Sequence, residues 1–131
     1  MARRSFQYTL SDNETRLQLN EFEGTRRLHI RKFKDDVATQ SGIWLHEREI
    51  INFLNIQFDI NSAFDDQREW IYTFNDYLTV TCYKSGTTDL RYTYRLEDGR
   101  ILYSKKKGIT LKRHLILELF DILCKEYPLY H

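Results

Sequence analysis

The sequence predicts an α+β protein built from two tandem repeats, each of four antiparallel strands followed by a C-terminal helix, packed as a pseudo-dimer within one chain. Three observations predict it. First, Phe22-Glu23-Gly24 and Tyr83-Lys84-Ser85-Gly86 each form a turn signal between two alternating stretches, and their glycines lie 62 residues apart. Second, Gly42-Ile43-Trp44-Leu45 and Gly108-Ile109-Thr110-Leu111 each lead into an apolar helix, with these glycines 66 apart, so the second copy holds about four extra residues in one connection. Third, the last helix is apolar nearly all round (Leu115, Ile116, Leu117, Leu119, Phe120, Ile122 and Leu123) and needs cover on more than one side, from the other half or from further self-association. The repeat divides the chain at 1–60 and 61–131. A lone unit of that size would bury only about 60% of its unfolded surface. Two units sharing a core escape that limit.

The elements follow in order. Residues 5–10 read as a strand closed by Ser11-Asp12-Asn13. Residues 15–23 alternate with Leu17 and Leu19 on one face, and Gly24-Thr25 turns the chain. Residues 26–34 alternate again, with Leu28 and Ile30 opposite Arg27, His29, Arg31 and Phe33. A polar connection over 35–41 precedes a short strand at 42–45. A helix over 46–58 then carries Ile50, Ile51, Phe53, Leu54 and Phe58 at helical spacing. Residues 59–68 read as a linker in which Ala63-Phe64 could dock. The pattern restarts with strands at 70–74, 78–83, 88–96 and 100–111, with turns at Asn75-Asp76, Ser85-Gly86 and Glu97-Asp98-Gly99. The last helix, 112–126, stops before Pro128.

Composition narrows the class. Apolar residues make up 41% and aromatics 15%, enough for a packed core rather than disorder. Net charge is only +1, but the cations cluster: Arg26, Arg27, Arg31, Lys32 and Lys34 in the first half, Lys105, Lys106, Lys107, Lys112 and Arg113 in the second. A basic stripe on a near-neutral molecule can still hold phosphates, because charges beyond about 8 Å are screened at physiological salt. Cys82 and Cys124 have no metal spacing and read as reduced thiols. No apolar run reaches spanning length and no apolar signal region follows the basic start, so an intracellular protein is expected.

These residues resemble the positive cofactor four family of transcriptional coactivators, whose repeat is four antiparallel strands and a helix. That family's pattern is an aromatic-Lys-Gly turn, a third strand of apolar-x-apolar-Arg-x-aromatic type, and a basic Lys-Gly-Ile-[Ser/Thr]-Leu helix entry. The second half carries Tyr83-Lys84-Ser85-Gly86, Leu90-Arg91-Tyr92-Thr93-Tyr94 and Lys106-Lys107-Gly108-Ile109-Thr110-Leu111. The first carries Phe22-Glu23-Gly24, Leu28-His29-Ile30-Arg31-Lys32-Phe33 and Ser41-Gly42-Ile43-Trp44-Leu45. The resemblance covers nearly the whole chain, and the Whirly proteins look like structural cousins. There are departures. Glu23 replaces the turn lysine, Thr39-Gln40-Ser41 replaces the lysines before Gly42, and Ser85 lengthens the second turn. No aromatic ends the third strand at Lys34 or Leu96.

The resemblance implies a non-enzymatic protein that binds single-stranded DNA in transcription, or in replication and repair, in the nucleus of a eukaryote or under a nuclear virus. Transcription-machinery proteins would be further partners. Binding of this kind combines cations on phosphates with aromatic rings under unstacked bases, at roughly 1–3 kcal/mol per base. Residues that fit are Phe22, Arg26, Arg27, His29, Arg31, Phe33 and Lys34 in the first half, and Tyr83, Lys84, Arg91, Tyr94, Lys105, Lys106 and Lys107 in the second. Leu17, Leu19, Ile30, Trp44, Leu90 and Tyr92 read as core. A protein-interaction scaffold with little nucleic-acid affinity, favoured by Glu23 and the near-neutral charge, and a single-stranded-RNA binder are the alternatives. No catalytic residues, metal ligands or cofactor are expected: His29, His46, His114 and His131 are scattered, and no phosphate-cradling glycine motif is present.

Overall fold

A computed structural model describes residues 4–74 and 77–126, apart from the side chains of Arg4 and Phe22. The turn expected at Asn75-Asp76 lies outside the described residues, as do Pro128 and His131. The strands are β1 (Arg4–Thr9), β2 (Thr15–Phe22), β3 (Thr25–Lys34), β4 (Val37–His46), β5 (Trp70–Phe74), β6 (Leu78–Cys82), β7 (Thr87–Arg95) and β8 (Ile101–Lys112). The helices are α1 (Glu47–Asn55), α2 (Gln57–Asp65) and α3 (Arg113–Glu126). The fold is α+β. All eight strands form one antiparallel sheet in the order β1-β2-β3-β4-β8-β7-β6-β5. Two four-strand meanders meet at its centre, where Gly42 of β4 faces Gly108 of β8.

The period-two pattern makes a one-sided core. Leu17 and Leu19, Leu28 and Ile30, Ile43 and Leu45, Leu78 and Val80, and Ile109 and Leu111 are all buried. They join Ile50, Phe53, Ile60, Leu119 and Phe120 of the helices in one cluster. Each such side chain contributes about 1.5–3 kcal/mol on burial. The polar residues between them therefore turn to the other face of the sheet.

The cover over α3 comes from both halves. Phe120 stacks on Phe53 of α1, with centroids 4.7 Å apart and rings 21° from parallel. The backbone N–H of Ser11, in the β1–β2 turn, donates to Glu118 at 2.9 Å, and the Tyr8 hydroxyl donates to Glu126. The reverse contact runs from the second half to α1, where the Tyr77 hydroxyl donates to Glu49 at 2.9 Å. Leu117 stays at the surface.

Three expectations are corrected. The helix expected over 46–58 ends at Asn55, because Ile56 leaves helical geometry at φ −98°, ψ 11°. The linker expected over 59–68 is instead mostly α2, whose Ile60, Ala63 and Phe64 are buried at i, i+3, i+4 spacing. The first half thus has two helices rather than one. The polar connection expected over 35–41 is instead a hairpin. Asp35 and Asp36 adopt φ 52° and 63° and turn Lys34 directly onto Val37, extending β4 to ten residues. Aspartate tolerates that left-handed geometry better than most residues, as a primed two-residue turn requires. Cys82 is a buried free thiol and Cys124 a half-buried one.

Candidate nucleic-acid interface

Among the described residues the helices pack on one face of the sheet; the other face carries no helix, and there the first half is open while the second buries Thr79, Thr81, Asp89 and Thr93. The first half of that face is a grid set by register. Gln7 of β1 lies opposite Gln18 of β2, then His29 of β3, then Trp44 of β4. The next row one way runs Ser5, Asn20, Arg27, His46, and the next row the other way runs Thr9, Arg16, Arg31, Gly42. Successive rows are two residues apart along each strand, about 6.8 Å. Two hollows open on this grid and share Gln18. One, of about 740 Å³, is lined by Ser5, Asn20, Thr25 and Arg27 among others. The other, of about 180 Å³, is lined by Gln7, Arg16, His29, Arg31 and Phe33 among others.

Trp44 is corrected from a core residue to a half-buried residue of this face, because Ile43 and Leu45 take the core positions on either side of it. The rings of His29 and Trp44 stack at 4.1 Å and 1°. The Arg27 guanidinium lies 4.7 Å from the indole centroid. Arg16 holds Asp36 at 2.5 Å and lies 4.1 Å over the Phe33 ring.

At the centre, each meander sets an arginine over a glycine. A Cβ built on Gly42 would lie 3.0 Å from the Arg31 guanidinium carbon, and one on Gly108 would lie 2.5 Å from that of Arg91. Each arginine then reaches a carbonyl of a bulge. Arg31 Nη1 donates to Thr39 O at 2.7 Å, and Arg91 Nη1 donates to Ser104 O at 2.9 Å. Beside them, Arg31 Nε donates to His29 Nε2 at 3.0 Å, whereas Arg91 forms a two-point pair with buried Asp89 at 3.0 and 3.1 Å. Both arginines expected to bind ligand are thus engaged in holding the sheet.

The second half of the face is nearly neutral. Thr110 donates to Asp89 at 2.7 Å. The hydroxyls of Thr73, Thr79 and Thr93 satisfy one another at 3.1 Å. Its cations stand at its border instead. Lys105, Lys106 and Lys107 occupy the β8 bulge, all exposed, and no ion pair holds them among the described residues. Antiparallel pairing of Gly42 with Gly108 directs this bulge toward the end of β4 that carries Trp44. Strand order thus brings the lysines of β8 and Arg27, His29 and Trp44 of β3 and β4 to one central region of the sheet, a basic and aromatic cradle. The corresponding position across the centre holds Thr39-Gln40-Ser41 and Asp89.

The remaining expected residues scatter. Phe33 joins the uncovered face. Strand alternation sends Arg26, Lys34 and Tyr94 to the helix-bearing side, and there Arg26 pairs with Glu21 at 3.1 Å and Glu47 at 3.5 Å. Lys84 is exposed in the β6–β7 turn. Beside it, burial and then the charge of Asp89 raise the Tyr83 phenol above its ordinary pKa. The Phe22 side chain lies outside the described residues. Sequence reasoning passed over Gln7, Arg16, Gln18 and Asn20. The signal was available, since residues flanking Leu17 and Leu19 must face away from the core.

Burial, and then the nearby Arg31 charge, lower the His29 pKa. The hydrogen bond from Arg31 Nε agrees, since only a neutral imidazole leaves Nε2 free to accept. The sign follows from linkage. Below about pH 6.5 the unfolded chain takes a proton that the folded imidazole refuses, so stability falls as pH falls. Urea unfolding from pH 7.5 to 5.5 should show wild type losing more stability than His29→Gln, with the difference rising by at most about 1.4 kcal/mol per pH unit. Parallel losses in the two proteins would remove His29 as the cause.

Among the described residues no group of three or more His, Cys, Asp or Glu could hold a metal ion, and no helix is long and apolar enough to cross a membrane. No protein-family model matches the chain, and no curated protein matches its sequence.

Proposed function

We propose that this chain is a non-enzymatic single-stranded nucleic-acid-binding protein, with DNA as its ligand, acting in transcription or in replication and repair, and in the nucleus where the source has one. The observation that carries the proposal is the basic and aromatic cradle at the centre of the sheet. Exposed Lys105, Lys106 and Lys107, held by no ion pair among the described residues, lie in β8 next to the strand that carries Trp44, on which Arg27 and His29 of β3 pack. Cations that can follow phosphates thus adjoin flat rings that can receive bases. The chain is also read as a covalent pseudo-dimer of two four-strand units. Support comes from the mirrored strand order, the arginine-over-glycine arrangement in each meander, and the reciprocal contacts of α1 and α3 with the opposite half. On that reading the two copies have diverged, leaving one basic cradle where a symmetric dimer would have two.

Fluorescence anisotropy tests the function with labelled 20-mers of single-stranded DNA, duplex DNA and single-stranded RNA. Single-stranded DNA should bind most tightly, with a log–log salt slope of about −0.7 per phosphate neutralised. Changing Lys105, Lys106 and Lys107 together to alanine should flatten that slope by about 2. Absence of binding to every strand at low salt would defeat the proposal, and an unchanged slope would remove the lysine run from the site. Tighter binding of RNA would replace DNA as the ligand.

A further inference from the structure

We infer that the uncovered face of β1–β3 reads base identity and favours adenine within a bound single strand. The inference rests on the nucleic-acid reading above and goes beyond sequence-tolerant stacking.

Three observations carry it. First, the grid presents amides rather than more aromatic rings: Gln7 opposite Gln18, with Asn20 one row on. The side chains of Gln7 and Gln18 are exposed and have no partner among the described residues. The Ser5 hydroxyl donates to Asn20 Oδ1 at 2.9 Å, leaving the Asn20 amide nitrogen as a donor toward the groove. Second, these amides line the two hollows that meet at Gln18, so they border open space large enough to receive flat groups. Third, the row spacing of about 6.8 Å is twice the 3.4 Å separation of stacked bases, so each row has room for one unstacked base. The second half offers no counterpart, because its threonine hydroxyls are already bonded to one another.

A primary amide carries an acceptor and a donor side by side. Adenine carries the complementary pair, the N6 amino group and N7, on one edge. Bases splayed from a single strand expose that edge. Gln7 and Gln18 would accept from N6 and donate to N7, while Arg27 and the Lys105–Lys107 bulge hold phosphates without regard to sequence.

The test compares dT20 with the same strand carrying four central adenines, by anisotropy at fixed salt. Wild type should bind the adenine-containing strand about fivefold or more tightly. The double variant Gln7→Ala/Gln18→Ala should bind both strands equally, with its circular dichroism unchanged. The triple alanine variant at Lys105, Lys106 and Lys107 should lose affinity for both strands by one factor and keep the preference. Equal wild-type affinity for the two strands, or a preference that survives loss of both glutamines, overturns the inference and leaves the proposed function standing. Failure of wild type to bind either strand overturns both.

Discussion

Replacing Arg91 with alanine is expected to destabilise the protein by about 3 kcal/mol, at the lower end of the range for breaking a buried ion pair. The lower end applies because the Arg91 side chain keeps 21% of its surface in water. The cost comes from what is left behind. Asp89 keeps only 8% of its side-chain surface exposed and would lose both guanidinium bonds, retaining only the Thr110 hydroxyl. The carbonyls of Ser104 and Lys105 would lose their donor as well. Arg31→Ala should cost about 1 kcal/mol, because its neighbour is a neutral imidazole and no buried charge is orphaned.

Gly108→Ala tests the same joint from the other side. Its methyl would enter 2.5 Å from the Arg91 guanidinium, which Asp89 and two carbonyls hold in place, so the arginine cannot move aside without losing them. In the Arg91→Ala background that clash vanishes. A double-mutant cycle by urea denaturation should therefore show the pair costing less than the sum of the singles by about 1 kcal/mol or more. Additive losses would mean that Arg91 and Gly108 do not act as one unit.

The sheet was legible in the sequence because its signals are local. Leu17, Leu19, Leu28 and Ile30 alternate, and Phe22-Glu23-Gly24 and Ser85-Gly86 are turn chemistry. What was hidden depends on contacts between distant segments. The Asp35-Asp36 turn carries no glycine, so it passed for a polar connection, although two consecutive left-handed aspartates make it a hairpin. The kink at Ile56 is equally silent, and α2 appeared only as Ala63-Phe64 in an otherwise polar run. At the site, the cationic character of Arg27, Arg31 and Arg91 was plain, but not its use. Arg91 is committed to Asp89 through a spacing of two that any strand could show, and Arg31 to a carbonyl eight residues away. Trp44 was assigned to the core on hydrophobicity, yet the parity set by Ile43 and Leu45 forbids it.

Phe53→Ala and Phe120→Ala are each expected to cost about 3–5 kcal/mol, the range for a fully buried phenylalanine. Both side chains are essentially inaccessible to water. A domain of this size has about 5–15 kcal/mol in all, so either change alone brings the chain close to its folding limit. The two rings also answer to each other, since they form the stacked contact between α1 and α3. Once one ring is gone the other has already lost its partner, so the double variant should cost about 0.5–1.5 kcal/mol less than the sum of the singles. Independent loss at the two sites would show that the helices pack on separate cores. Shared loss, in a single cooperative urea transition followed by both tryptophan fluorescence and far-ultraviolet circular dichroism, is expected because Trp44 and Trp70 lie on opposite meanders of one sheet. A biphasic transition in either signal would mean that the meanders unfold independently, and that the Phe53–Phe120 stack joins two units without making them one.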